Sequence, residues 1–119
     1  MSKIDELEQK IIKQGMTADD INAKTVADAA DAGDETAIEV YRTCGEYLGK
    51  GLSIVIDLLN PEVIVIGSVF ARSHNLLWES TKKVIDKEAL SVAAECCRVV
   101  PAELGEQIGD YAAIATALL

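Results

Sequence analysis

The residues of this chain that could do chemistry are few, and the most suggestive of them directly follow an apolar run. Val63 to Ile66 is an unbroken β-branched stretch, preceded by Pro61 and followed by Gly67-Ser68-Val69. Such a run is typical of a parallel strand covered on both faces. Loops at the carboxyl ends of these strands are where α/β proteins usually bind nucleotides and sugars. The sequence therefore predicts either a ligand-binding turn at Gly67, Ser68 and Val69 or an ordinary strand-to-helix connection.

Three glycines, Gly45, Gly49 and Gly51, invite comparison with a phosphate-binding loop. A Walker A loop follows a strand and carries Lys and then Ser or Thr directly after its last glycine. Here Lys50 precedes Gly51, and the glycines fall inside a strongly periodic helical pattern. We therefore predict that these small residues let a neighbouring helix or sheet approach closely.

Two carboxylates flank a glycine in the segment Asp31-Ala32-Gly33-Asp34, which could serve acid–base catalysis. Gly33 also fits the end of one helix, and Asp34 fits the N-cap of the next. No nucleophile, histidine or basic partner lies nearby in the sequence to complete a catalytic group. We therefore predict a capping role and assign no catalytic residue.

The cysteines favour neither a disulfide nor a metal site. The chain has three cysteines, Cys44, Cys96 and Cys97, which is an odd number without C-x-x-C spacing. Adjacent residues of a strand point to opposite faces, so Cys96 and Cys97 are poorly placed to form a disulfide with each other. We therefore expect reduced, buried thiols. A structural zinc site needs four ligands, and His74 is the only histidine, so no metal is predicted.

Hydrophobic periodicity and capping signals define the elements that would position these residues. The predicted order is an amphipathic helix from Ile4 to Gln14, a turn and a short Ala-rich helix between Thr17 and Ala32 with capping patterns at Thr17 and Thr25, a long helix from Glu35 to Leu59, the Val63 to Ile66 strand, a helix from Ser73 or Asn75 to Leu90, a second strand from Cys96 to Val100, and a final helix from Glu106 to Leu118. The core face of the long helix is predicted to hold Ile38, Tyr41, Cys44, Leu48, Leu52, Val55, Ile56 and Leu59.

The final helix consists almost entirely of small or apolar residues, so we expect it to be buried. A strand, a helix and a second strand in this order predict a right-handed parallel crossover. The predicted class is α/β, rich in helix, with short parallel strands.

Length and charge restrict the range of functions. A chain of 119 residues, half of them hydrophobic, is long enough for one domain and too short for two independent ones. The formal charge of −9 repels phosphate backbones and anionic lipid, so we expect neither nucleic acid nor membrane as a partner. No apolar run approaches the roughly 20 residues that span a bilayer, and the first residues do not resemble a signal peptide. We therefore expect a cytoplasmic protein.

Four segments together resemble the ROK family of sugar kinases and repressors, especially bacterial glucokinases. They are residues 30–37, 46–52, 59–67 and 99–105, which occur in the family's order and spacing. The resemblance runs from about Thr25 to the end and implies the C-terminal part of an RNase-H-like (actin/hexokinase-like) kinase lobe. In this interpretation residues 1–32 form N-terminal helices, and residues 33–119 form a ROK-like half-lobe within a single domain.

The resemblance also implies what this sequence lacks. The family's D-x-G-x-T phosphate loop, its sugar-binding segment with the catalytic aspartate, and its Cys-x-Cys-Gly-x-x-Gly-Cys zinc motif are not found here. The chain would then contribute a nucleotide-side surface at Gly67, Ser68 and Val69, with weak binding of ATP and Mg²⁺, no zinc and no catalysis alone. The family usually has Gly-Gly-Gly or Gly-Gly in this turn, and the Cβ of Ser68 intrudes on the space that the glycines leave.

Two other functions stay open. The chain could be a free-standing oligomerising module that has lost the chemistry, in which a second copy or the N-terminal helix covers the open strand edges. In the kinase interpretation the partner would be a separately encoded N-terminal kinase lobe. It could also be the effector half of a ROK repressor, although the sequence shows neither a helix-turn-helix nor a basic patch for DNA.

Overall fold

The computed structural model describes residues 9, 19 and 21–119 of the chain. The helix predicted from Ile4 to Gln14 therefore lies outside the described residues, apart from Gln9. The elements observed are α1 (Ala23–Asp31), α2 (Glu35–Leu59), β1 (Val63–Ile66), α3 (Ser68–Arg72), α4 (His74–Glu88), α5 (Ser91–Cys96), β2 (Arg98–Pro101), a 3₁₀ turn (Gly105–Gln107) and α6 (Ile108–Ala117).

Local capping explains where α1 and α2 begin. Asn22 is the N-cap of α1: its Oδ1 accepts from Thr25 N at 2.9 Å, and Thr25 Oγ1 accepts from Asn22 N at 3.0 Å. The predicted capping pattern starting at Thr25 was therefore wrong, because Thr25 closes a capping box that opens three residues earlier. Gly33 ends the first helix with φ of 93°, and Asp34 Oδ1 accepts from Ala37 N at 2.9 Å. The predicted roles of Gly33 and Asp34 are confirmed.

The long helix α2 has the predicted bounds and packs mainly on α4. Gly45 and Gly49 are buried at this contact, where a Cβ on Gly49 would lie 2.7 Å from the Thr81 carbonyl oxygen. Thr81 is fully buried, and its hydroxyl donates to two carbonyl oxygens, that of Gly45 at 2.9 Å and that of Leu77 at 2.8 Å. The predicted packing role is confirmed for these two glycines. Gly51 is exposed and has no neighbour there.

The two strands form a parallel sheet, in agreement with the predicted class, and Val63 pairs with Arg98 and Ile66 with Pro101. The second strand begins at Arg98 and not at Cys96, because residues 91–96 form the short helix α5. On β1, Ile64 and Ile66 are half-buried, while Val65 is 61% exposed. The prediction that this strand is covered on both faces was wrong, since the described helices cover one face.

The described core has two parts. One part joins α1, α2, α3 and α4, and its buried members are Val26, Ala30, Ala37, Tyr41, Phe70 and Leu77. The other joins α2 to α4 behind the sheet, and its buried members are Leu52, Ile56 and Ile85. Four residues of the predicted core face of α2 are instead exposed: Ile38, Cys44, Val55 and Leu59. The helix α4 packs on the face of α2 that carries the buried Gly45 and Gly49, so the positions of the large apolar residues alone do not predict which face of α2 is buried.

The predicted burial of the final helix was also wrong. All residues of α6 are exposed, including Ile114 at 59%, and its main contact is the 3₁₀ turn that precedes it. The radius of gyration is 16.7 Å, above the roughly 13.5 Å expected of a compact domain of this length. Nothing among the described residues covers this helix. None of the described helices has the length and apolar character needed to cross a membrane.

Candidate functional site

The turn after β1 has an unusual backbone. Gly67 has φ of −93°, and Ser68, which opens α3, has φ of 55°. Positive φ is disfavoured for residues with a Cβ, so Ser68 occupies a conformation that glycine adopts at lower cost. Ala102 N donates to Ile66 O at 3.0 Å and ties the turn to the end of β2. The side chain of Ser68 is exposed at this tied edge of the sheet.

The structure brings the three predicted site residues, Gly67, Ser68 and Val69, together on the wall of one open cavity of about 510 Å³. We call it the turn cavity. Its other lining residues are Ala23, Val26, Val40, Tyr41, Cys44, Leu48, Ile66, Phe70 and Leu77. Sequence reasoning missed most of this wall, although helical periodicity had already grouped Tyr41, Cys44 and Leu48 on one face.

The turn cavity is apolar. None of the described residues that line it is charged, and the Tyr41 hydroxyl is engaged, because it donates to Ala23 O at 2.7 Å. Such a surface can take an aliphatic group or the flat face of a ring. It offers no cation to a phosphate.

Charged side chains lie next to the turn cavity, in a smaller depression of about 140 Å³ that shares Ala23, Tyr41 and Val69 with it. Two cations, Lys24 and Arg72, and two anions, Asp28 and Asp31, line this depression, so its formal charge is balanced. Asp31 is also tied to α4, because Asn75 Nδ2 donates to its Oδ1 at 3.3 Å. Balanced charge gives a triphosphate little net attraction.

The described residues therefore fit one part of ATP and not the other. The apolar wall suits a nucleoside, whereas the triphosphate finds no cluster of cations. Within residues 21–119, no group of three or more His, Cys, Asp or Glu is arranged to hold a metal ion. Triphosphate and Mg²⁺ would need partners outside the described part of the chain.

All three cysteines are free, yet the prediction that they are buried was wrong for two of them. Cys44 and Cys96 are exposed, while Cys97 is half-buried against the Leu52, Ile56 and Ile85 part of the core. Burial raises the pKa of the Cys97 thiol, because desolvation disfavours the thiolate.

Comparisons with known proteins agree with the fold. The ROK family profile matches residues 5–118. The DNA-binding transcriptional dual regulator NagC of Escherichia coli K12 is 34% identical over 122 residues, covering 95% of this chain and 30% of its own. The glucokinase of Halalkalibacterium halodurans is 34% identical over 89 residues, covering 75% and 27% respectively.

A solved structure supports the same architecture. A Cytophaga hutchinsonii protein assigned as a sugar kinase aligns with a TM-score of 0.74 at 19% identity, over 88% of this chain and 36% of its own. Its likeness shows an α/β fold of the actin/hexokinase-like kind. The chain spans about 30% of the length of the curated relatives that it matches. From a profile match over nearly its whole length, this chain belongs to the ROK family.

Proposed function

We propose that the chain is the C-terminal portion of a ROK-family, glucokinase-like sugar kinase, which contributes a nucleotide-side surface and cannot phosphorylate sugar alone. The observation that carries this proposal is the Gly67 to Val69 turn, which lies at the carboxyl end of β1 and forms one wall of the turn cavity. That edge of a parallel sheet is where nucleotides bind in α/β proteins.

We infer that this chain binds the base and ribose of the nucleotide in the turn cavity. The cavity of about 510 Å³ has an apolar wall that suits the base and ribose, and the exposed side chain of Ser68 gives it a hydroxyl at the turn. A triphosphate would draw its cations and its Mg²⁺ from a separately encoded N-terminal kinase lobe. Adenosine and ATP should therefore bind this chain with similar, weak affinity.

Catalysis is the part that the chain does not supply. Phosphoryl transfer depends on positioning, electrostatic stabilisation and a residue that orients the attacking oxygen. The described lining of the turn cavity holds neither a carboxylate nor a basic side chain for these tasks. A sugar hydroxyl held there would have no general base.

Binding is tested by titrating adenosine and ATP while recording the fluorescence of Trp78, with calorimetry as the second measurement. Phe70 lines the turn cavity and packs edge-to-face on Trp78 with ring centroids 6.4 Å apart, so a ligand that moves Phe70 changes the environment of Trp78. We expect saturable binding of both ligands. No saturation with either by several millimolar would refute the nucleotide-side role.

Matched variants separate the two features of Ser68. Ser68→Gly removes the Cβ and relaxes the positive φ, so it should tighten adenosine binding severalfold. Ser68→Ala removes the hydroxyl and keeps the Cβ, so it should bring no gain. A gain of equal size in both variants would contradict the backbone argument.

The catalytic clause is tested separately, by incubating the chain with glucose and Mg-ATP and measuring sugar phosphate. We expect none above the level of the heat-inactivated sample. Turnover that scales with the purified chain would show that it is competent alone.

A second candidate is a free-standing interaction module derived from a ROK protein, which the fully exposed α6 favours. The match to NagC over 95% of the chain also favours the effector part of a regulator, although a formal charge of −9 opposes contact with DNA. Both alternatives expect no saturable binding of adenosine, so the same titration separates them from the kinase proposal.

A further inference from the structure

The helix α1 forms a third wall of the turn cavity, beside the walls that the turn after β1 and the helix α2 provide. Ala23 and Val26 of α1 line the cavity. They lie three residues apart, so they share one face of the helix. Ala30, one turn further along this face, is buried in the part of the core that also contains Tyr41. The start of α1 therefore borders the cavity, while its end packs in the core.

The helical state of α1 depends on its contact with the rest of the domain. A helix of nine residues is marginal alone in water, so it needs a surface on which to pack. Its capping box, between Asn22 and Thr25, lies within the segment itself. The packing of α1 on α2 therefore decides whether Ala23 and Val26 stand at the cavity wall.

Tyr41 of α2 holds the end of α1 that borders the cavity. This residue is 5% exposed, and it lines the cavity itself. Its hydroxyl donates to Ala23 O at 2.7 Å, a favourable distance for a bond between two oxygens. One side chain thus belongs to the α2 wall of the cavity and also holds the α1 wall in place.

A second hydrogen bond attaches the opposite end of α1, away from the cavity. Asn75 Nδ2 donates to Asp31 Oδ1 at 3.3 Å, in an exposed position. Neither of these two residues lines the turn cavity. A long, exposed hydrogen bond contributes less than a short, part-buried one. Tyr41 is therefore the better placed of the two residues to fix the cavity wall.

We propose that Tyr41 is a positioning residue of the nucleoside site, and that docking of α1 and binding of the nucleoside favour each other. This inference rests on the proposed nucleotide-side function and adds the contact that controls it. A nucleoside in the cavity touches Ala23 and Val26 only while α1 is docked. Because coupling between two events is reciprocal, releasing α1 weakens nucleoside binding, and a bound nucleoside holds α1 in place.

Tyr41→Phe separates the two roles of this residue, because it keeps the aromatic ring and removes the hydroxyl. Loss of one hydrogen bond shifts the docking equilibrium by up to about tenfold. Apparent affinity falls with the fraction of chains in which α1 is docked, so calorimetry should show adenosine binding about threefold more weakly. In the free chain, amide hydrogen exchange of α1 should accelerate by about three- to tenfold, while that of the last two turns of α4 stays unchanged.

Ser53→Ala is the matched control, because it removes the same kind of bond from the same helix. The buried Ser53 Oγ donates to Gly49 O at 2.7 Å, and neither residue lines the turn cavity. This variant should leave both the affinity for adenosine and the exchange of α1 unchanged, whatever its effect on the free energy of unfolding. The comparison separates positioning from a general loss of stability.

The wild-type chain provides a test that does not depend on the folding of any variant. Saturating adenosine should slow the exchange of α1 amides severalfold, and by more than it slows the last two turns of α4. Circular dichroism of Tyr41→Phe and Ser53→Ala verifies that both variants fold.

The outcomes distinguish this inference from the function on which it rests. Adenosine that binds the wild type without slowing the exchange of α1 would overturn the inference and leave the nucleotide-side function intact. Tyr41→Phe would do the same if it freed α1 and still bound adenosine as tightly as the wild type, because Tyr41 would then be only structural. A wild-type chain without saturable binding of adenosine would refute the proposed function and this inference together.

Discussion

Replacing Gly45 with alanine tests the close contact between α2 and α4 on which this half-lobe depends. A Cβ at Gly45 would meet Ser80 Oγ, and it would lie 2.7 Å from the Leu77 carbonyl oxygen and 3.2 Å from Thr81 Oγ1. The Ser80 hydroxyl can rotate away. The Leu77 carbonyl cannot, because it belongs to the backbone of α4, so the two helices must separate.

Opposing contributions set the size of the effect. Alanine is favoured over glycine inside a helix by about 1 kcal/mol. Overpacking of a well-packed contact costs about 1–3 kcal/mol. Separating the helices also stretches the 2.9 Å hydrogen bond from Thr81 Oγ1 to Gly45 O, which contributes about 1 kcal/mol. We therefore expect Gly45→Ala to lower the free energy of unfolding by about 1–3 kcal/mol.

Gly51→Ala is the matched control, because it makes the same change in the same helix. A Cβ at Gly51 would have no neighbour within 4 Å, so the helix propensity acts alone. This variant should be more stable than the wild type by up to about 1 kcal/mol. The two substitutions are thus expected to change stability in opposite directions.

The assay is urea unfolding followed by far-UV circular dichroism and by the fluorescence of Trp78, the single tryptophan. Coincident transitions would support a two-state analysis of the free energies. If Gly45→Ala proved as stable as Gly51→Ala, the close approach of α4 to Gly45 would be refuted.

Three further predictions concern a helix cap, a buried hydroxyl and a thiol. Asp34→Ala removes the acceptor for Ala37 N and should cost about 1 kcal/mol in urea unfolding, whereas Asp34→Asn should retain most of the stability. Thr43 Oγ1 is buried and has no hydrogen-bond partner among the described residues, so Thr43→Val should be neutral or stabilising in the same assay, and a clear loss would contradict it. Because burial raises the pKa of the Cys97 thiol, the folded state holds its proton more tightly than the unfolded state. Stability should therefore fall as pH rises through the folded pKa, and unfolding curves of Cys97→Ser against pH should show a flatter decline.

The elements that sequence reasoning placed well are those with strong local signals. Helix α2 has both predicted ends, because Asp34 caps it and Asn60 before Pro61 leaves the right-handed region with φ of 46°. The parallel pairing of the two strands followed from the intervening helix. The cap at Asn22 was missed because its partner Thr25 itself resembles the start of a capping pattern.

The candidate site could be predicted only in part. An apolar strand followed directly by a glycine predicted the turn at Gly67, Ser68 and Val69, and these three residues lie on one wall of the turn cavity. The opposite wall, from Tyr41 to Leu48, depends on how α2 lies across the sheet. That placement is set by Gly45 and Gly49 of α2, which are buried against α4; the glycines predicted a close neighbour, but no local pattern showed which element it would be.

The errors on β1 and α6 share a physical cause. Val65 lies in an unbroken apolar strand and Ile114 in an apolar helix, which is the composition of buried elements, yet both side chains are about 60% exposed. Val65 lies on the face of β1 that no described helix covers, and α6 packs mainly on the 3₁₀ turn before it, so neither apolar surface has a covering layer among the described residues. Backbone pairing would complete an edge of the sheet and leave the Val65 face open, so both elements need side-chain packing from outside the described residues.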